Sequence, residues 1–117
     1  MKFDADKFLP LAPAALHILL ALASEDMHGY GIMQDVLRQS NGRYKLGPGT
    51  LYDNLQRLLQ GGLVQEVDRP EESRRKYYRL SKNGRAVLTA EVDRLQQVLN
   101  EAKAHMRTSR CSAISIS

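Results

Sequence analysis

Residues 47–85, GPGTLYDNLQRLLQGGLVQEVDRPEESRRKYYRLSKNGR, decide the fold. Gly47-Pro48-Gly49 breaks the chain, and Thr50 stands at the start of a helix. Its apolar residues Leu51, Leu55, Leu58 and Leu59 recur at helical spacing and form the buried stripe. Thr50, Asp53, Asn54 and Arg57 form an exposed polar stripe, flanked by Tyr52 and Gln56. Gly61-Gly62 stops the helix, as glycine commonly does just past a C-terminus. LVQEV (63–67) then reads as a strand and DRPEESR (68–74) as a polar loop too long for a tight turn. KYYRL (76–80) is a return strand, whose alternation sends Tyr77 and Tyr78 to opposite faces, one of them into the core. Ser81 is placed to cap the next helix. Helix, strand, loop, strand and helix in this order predict a winged helix, an α+β fold that is mainly α with a small hairpin wing.

The flanking segments extend this plan. Proline suits an opening turn, so a first helix is expected from about Ala12–Pro13. It runs through AALHILLALA (14–23), which is apolar almost all round and therefore mostly buried. Residues 1–11 form a short arm in which Phe3, Phe8 and Leu9 can dock. A turn at Ser24–Met27 leads to His-Gly-Tyr-Gly at 28–31. A second helix then carries Ile32, Met33, Val36 and Leu37 on one stripe and ends around Ser40–Gly42. Tyr44–Leu46 is read as a very short strand.

The last helix is expected to reach about Met106. Its apolar positions Leu88, Val92, Leu95, Leu99, Ala102 and Met106 alternate in steps of four and three, a heptad seam. Such a seam is longer than a domain of 117 residues needs for its own core, so a partner helix and a homodimer are expected. The alternative is a helix packed on its own domain. The plan divides into a winged-helix domain over 1–81, a dimerisation helix over 82–107 and a disordered tail over 108–117.

The net charge of +4 is modest, but it is concentrated. Residues 68–85 hold seven Lys/Arg against three Asp/Glu, and 74–85 hold six with no acid at all. A local excess of this kind is the footprint of a polyanion partner. A helix fits the major groove of duplex DNA, and the polar stripe offers the matching groups. Arg57 can bond guanine, Asn54 and Gln56 adenine, and Thr50 either a methyl or a polar edge. Tyr52 can reach a phosphate, while Asp53 can accept from cytosine or hold Arg57 one turn on. Arg74, Arg75 and Lys76 at the hairpin can meet phosphates or enter the minor groove. Arg79, Lys82 and Arg85 cannot all face one duplex.

Other classes find less support. His17 reads as a satisfied core histidine, and His17, His28 and His105 lack metal-ligand spacing. GPGTLY lacks the GK[ST] ending of a phosphate-binding loop. No catalytic residue, metal or cofactor is expected, and the chain is not read as an enzyme. A lone Cys111 excludes an internal disulfide and fits a reducing compartment. No apolar run approaches the roughly 20 residues that cross a bilayer, and no secretory signal opens the chain. A cytoplasmic protein without a membrane partner is expected.

Four segments, LHILLAL, HGYGI, LGPGTLYDNLQRLLQGGLV and RRKYYRLSKNGRAVL, resemble the PadR family of bacterial transcriptional regulators in order and spacing over roughly residues 12–95. The single long last helix is similar to the short-chain branch of that family. The resemblance implies a homodimer on a pseudo-palindromic operator, usually a repressor released by a small-molecule effector. It implies recognition positions at Thr50, Tyr52, Asp53, Gln56 and Arg57, a backbone contact at Tyr30, and wing contacts at Arg74, Arg75 and Lys76. Two features depart from many members: Glu71 and Glu72 replace a glycine-rich wing tip, and there is no tryptophan for a flat stacking pore. Two further readings remain beside it. One is a winged-helix module for protein–protein contact. The other is a small-molecule or redox sensor with a site near Leu16, Leu95 and Leu99, where ordinary core packing is the simpler account.

Overall fold

The computed structural model describes residues 2–69 and 75–108. Helix α1 spans Pro13–Ser24, strand β1 Met27–His28, helix α2 Gly29–Gln39 and helix α3 Pro48–Gln60. Strands β2 (Val64–Val67) and β3 (Tyr77–Leu80) form the wing hairpin, and α4 spans Lys82–Thr108. A 3-10 turn at Ala5–Phe8 precedes them. This is the expected winged helix.

The core lies where α1, α2 and α3 meet the sheet. Ile18, Leu19, Ile32, Val36, Leu51, Leu55, Leu63 and Val87 are almost wholly removed from water. Burial of such side chains is the main favourable term, at about 1.5–3 kcal/mol each. Leu51, Leu55 and Leu58 of the α3 stripe are buried as expected, and Leu59 is partly so. Proline stands in the first turn of both α1 and α3, where its missing N–H costs nothing. Gly61 and Gly62 close α3, and Gly62 adopts φ +76°, which favours glycine. Leu63 N–H then returns to the Leu58 carbonyl at 2.9 Å.

Ser81 joins the wing to α4. Its hydroxyl accepts from Gly84 N–H at 2.9 Å, the predicted cap, and donates to the Gly62 carbonyl at 2.6 Å. Gly84 lets α4 approach the Leu63 turn so closely that an added Cβ would overlap the Leu63 carbonyl oxygen.

Two local expectations are corrected. Tyr44–Leu46 is not a strand. Tyr44 N–H is taken by the Ser40 hydroxyl at 2.8 Å, its ring lies 4.9 Å from that of His17, and Leu46 is buried. Among the described residues, the segment pairs with no strand and is held by these contacts instead. Second, the turn expected at Ser24–Met27 gives way at its end to β1. Met27 pairs with Tyr78 and His28 with Tyr77, both antiparallel, so the sheet has three strands in the order β1-β3-β2. A two-residue strand is too short to show alternation. The last helix also runs two residues further than Met106, to Thr108.

The N-terminal arm docks as its apolar residues suggest. The 3-10 turn packs against α4, and Phe8, Leu9 and Leu11 lie against the core. His17 is half-buried and satisfied, with Nδ1 2.7 Å from Gln39 Oε1.

Candidate nucleic-acid interface

Three segments distant in sequence build one concave surface. His28 ends β1 and caps α2, its Nδ1 accepting from Gly31 N–H at 3.0 Å. Through its pairing with Tyr77 the same residue is fixed to the wing's return strand. Arg75 Nη1 lies 2.7 Å from His28 Nε2, at the root of the wing. Gly29 opens α2 and is buried against Tyr52 of α3, leaving no space for a Cβ beside the phenol. The result is a cleft of about 330 Å³ lined by His28, Gly29, Tyr30, Tyr52, Arg75, Lys76 and Tyr78.

Four of the sequence-predicted contact residues, Tyr30, Tyr52, Arg75 and Lys76, thus meet in one place. Tyr30 is 58% exposed and Tyr52 49%, so both phenols are available to a ligand. Thr50, Asp53, Gln56 and Arg57 are exposed along the adjoining face of α3. Among the described residues no ion pair joins Asp53 to Arg57. Asn54 is half-buried, and its amide donates to the Thr50 carbonyl at 2.9 Å, so it is presented less fully. Arg74, Glu71, Glu72 and Cys111 lie outside the described residues, as does the tail beyond Thr108.

The remaining basic residues divide sharply. Arg79 forks onto Asp26, with Nη2 at 2.8 Å from Oδ2, and Arg69 reaches the same carboxylate at 3.3 Å while lying over the Tyr77 ring. The Arg79 hydrogen bond, with help from Arg69, outweighs burial and holds the Asp26 carboxyl below its ordinary range. Arg79 and Arg69 therefore brace the sheet edge. Arg85 donates to the Ala23 carbonyl at 3.3 Å. Lys76 meets Glu66 at 3.8 Å, but both are well exposed and such a pair contributes little. Burial pushes the Tyr78 phenol up, keeping it protonated at the floor of the cleft.

Sequence reasoning missed His28 and Gly29 as builders of this cleft. The HGYG motif signals an unusual turn, but histidine is an uncommon helix cap and its strand partner is 49 residues away.

On α4, Leu88 is 6% exposed and belongs to the chain's own core, so it offers little to a partner. From Val92 onward the seam is open: Val92, Leu95, Leu99, Ala102 and Met106 are exposed, as is Val98 beside them. Among the described residues no helix is long and apolar enough to cross a membrane, and no group of three or more His, Cys, Asp or Glu could hold a metal.

Residues 18–90 match the Transcriptional regulator PadR-like family, from the middle of α1 through the first part of α4. The chain belongs to the PadR-like family. It is 36% identical over 91 residues to the Transcriptional regulator Rv3488 of Mycobacterium tuberculosis, spanning 77% of this chain and 82% of that protein. A PadR family transcription regulator from Clostridium difficile superposes with a TM-score of 0.63 at 25% identity, covering 82% of this chain and 96% of that one. A transcriptional regulator from Clostridium thermocellum gives 0.65 at 26% identity, covering 74% and 89%. PadR-like proteins are transcriptional regulators, and this one is a DNA-binding winged-helix protein of that class.

Proposed function

We propose that the protein is a homodimeric repressor that reads a pseudo-palindromic operator and is released by a small-molecule effector. The observation that carries the reading is the convergence of Tyr30, Tyr52, Arg75 and Lys76 on one cleft beside the open polar face of α3. A duplex can lie along both at once, its phosphates at the cleft and a groove on α3. In this reading α3 enters the major groove, where Arg57, Gln56, Thr50 and Asp53 meet base edges and Asn54 adds a shorter reach. Tyr30, Tyr52, Arg75 and Lys76, with Arg74, hold phosphates on either side. Phosphate contacts position the protein, and base contacts select the sequence.

The open face of α4 supports the dimer. Val92, Leu95, Leu99, Ala102 and Met106 form an apolar run left in water, with Met106 76% exposed. Burying such a run against a second copy returns about 25 cal/mol per Å². The dimer is then a pair of winged-helix units, residues 1–81, joined by helices 82–107. Its workplace is the cytoplasm. The effector would bind where both α4 helices approach α1, near Leu16, Leu95 and Leu99.

Footprinting on DNA upstream of the protein's own gene tests the reading. Two protected half-sites about one helical turn apart are expected. Equal affinity for this DNA and a random duplex at all salt concentrations would defeat it. A monomer in sedimentation that pairs only with a foreign protein would favour a protein–protein module instead.

A further inference from the structure

Glu91 is the last buried residue of α4, at 1% exposure, and the helix beyond it leaves the body of the protein. A carboxylate at this depth needs partners, and it has three polar contacts. Arg94 forks onto it, with Nε 2.6 Å from Oε1 and Nη2 3.0 Å from Oε2. The third contact comes from a partner remote in sequence: Leu11 N–H donates to Oε2 at 3.0 Å. Glu91 therefore ties the end of the N-terminal arm to the root of α4.

The arm holds a second element. Phe8 packs towards the end of α3, so that a Cβ added to Gly61 would sit 3.5 Å from its ring. Phe3 stacks on Phe8 at 5.8 Å and thickens the contact. Asp4 caps the 3-10 turn by accepting from Asp6 N–H at 3.1 Å. Residues 2–11 thus grip α4 on one side and the C-terminal end of α3 on the other.

We infer that residues 2–11 are a strap, anchored on Glu91, that fixes the direction in which α4 leaves the winged helix and so sets the spacing between the two α3 helices of a dimer. The inference rests on the dimeric DNA-binding reading given above. A buried ion pair rarely stabilises more than apolar residues of the same volume. What a doubly engaged carboxylate adds is direction, because greasy contacts tolerate sliding and hydrogen bonds do not.

The lever is long enough for this to matter. Residues 92–108 continue as helix for about 25 Å. A tilt of about 10° of α4 on its packed part, Gly84 to Glu91, moves the far end by at least about 4 Å, more than the ~3.4 Å rise of one base pair. A small freedom at the root changes half-site register by a whole step. Glu91 and Phe8 are accordingly positioning residues and touch no DNA themselves.

Selection of bound duplexes from a random library, using the full chain, provides the test. Wild type should return paired half-sites with one spacer, preferred roughly tenfold over a spacer one base pair longer or shorter. Glu91→Gln should reduce that preference to about twofold while base preference inside each half-site and the dimer dissociation constant stay within about twofold. Phe8→Ala, which leaves the carboxylate in place, should move the spacing in the same direction. A purely structural role would lower the melting temperature and weaken all spacers alike. Spacing as sharp as wild type in both variants, or uniform loss across spacers, overturns the strap. Absence of paired half-sites in wild type instead defeats the dimeric reading on which it stands.

Discussion

Gly29 lies against the phenol of Tyr52, with no room between them for even a methyl group. The two nearest obstructing atoms are the far end of an exposed side chain: an added Cβ would overlap the hydroxyl and sit 2.9 Å from Cζ. Leu51 Cδ2 is next at 3.3 Å, close enough to need only a few tenths of an ångström of give. Tyr52 can swing outward at little cost, and alanine is a better helix residue than glycine. Gly29→Ala should therefore melt within a few degrees of wild type. It should nevertheless bind duplex roughly tenfold more weakly, because the swung ring would leave the cleft and forfeit the phosphate contact proposed for it. Calorimetry beside a binding titration checks both halves, and undiminished affinity would remove Tyr52 from the interface.

Gly84 presents the opposite case. The atom in the way is the Leu63 carbonyl oxygen, held in a turn that also anchors Ser81 N–H at 3.0 Å. Backbone cannot swing aside, so Gly84→Ala must push α4 off the wing. A loss of about 2 kcal/mol or more in urea unfolding is expected.

Arg57 and Arg75 should fail differently. Arg57→Ala should relax base preference at one position of each half-site while leaving affinity for random duplex nearly unchanged. Arg75→Ala should weaken specific and random duplex alike and reduce the slope of log affinity against log salt by about one. Identical behaviour of the two variants would erase the division between reading and holding.

Acid should unfold the protein through its anchored carboxylates. The Arg79 guanidinium keeps Asp26 below its ordinary 3.8, and Arg94 keeps Glu91 below 4.5. At Asp35 burial pushes upward, but bonds from Gln39 and Arg38 leave the net shift downward. A carboxyl depressed in the folded state contributes stability that is complete above its unfolded value and is lost as pH falls through the folded one. The urea midpoint should be flat from pH 7 to about 5 and fall steeply below about 4. Asp26→Asn should start lower at pH 7 and decline less in acid.

The helices and the wing hairpin were legible because each carries its own local signal. The α3 stripe of Leu51, Leu55 and Leu58 repeats at helical period, and Ser81 stands where a cap belongs. The contacts that assemble the site were not legible, because each joins residues far apart in sequence. Met27–His28 is a strand only by virtue of Tyr77 and Tyr78, and the buried Glu91 takes a hydrogen bond from Leu11, 80 residues away. Leu88 illustrates the limit of a periodic pattern. The heptad runs through it unbroken, yet the winged helix needs it for its own core and the open seam starts one step later. Tyr44–Leu46 misled in the opposite sense, since two apolar side chains around an exposed Lys45 can fill a gap without pairing.

Strand β3 has a neighbour on both sides, and His28 passes from one of them into α2 without an intervening linker. The hairpin's return strand and the first turn of α2 therefore move as one rigid bracket. A duplex contacting Tyr30 and Lys76, as proposed, would find their separation already settled by the sheet. Lost motion is a principal opponent of association, so pre-organisation here would favour fast capture of a duplex. In the proposed complex, discrimination between sequences would then fall to the escape rate, set by the face of α3.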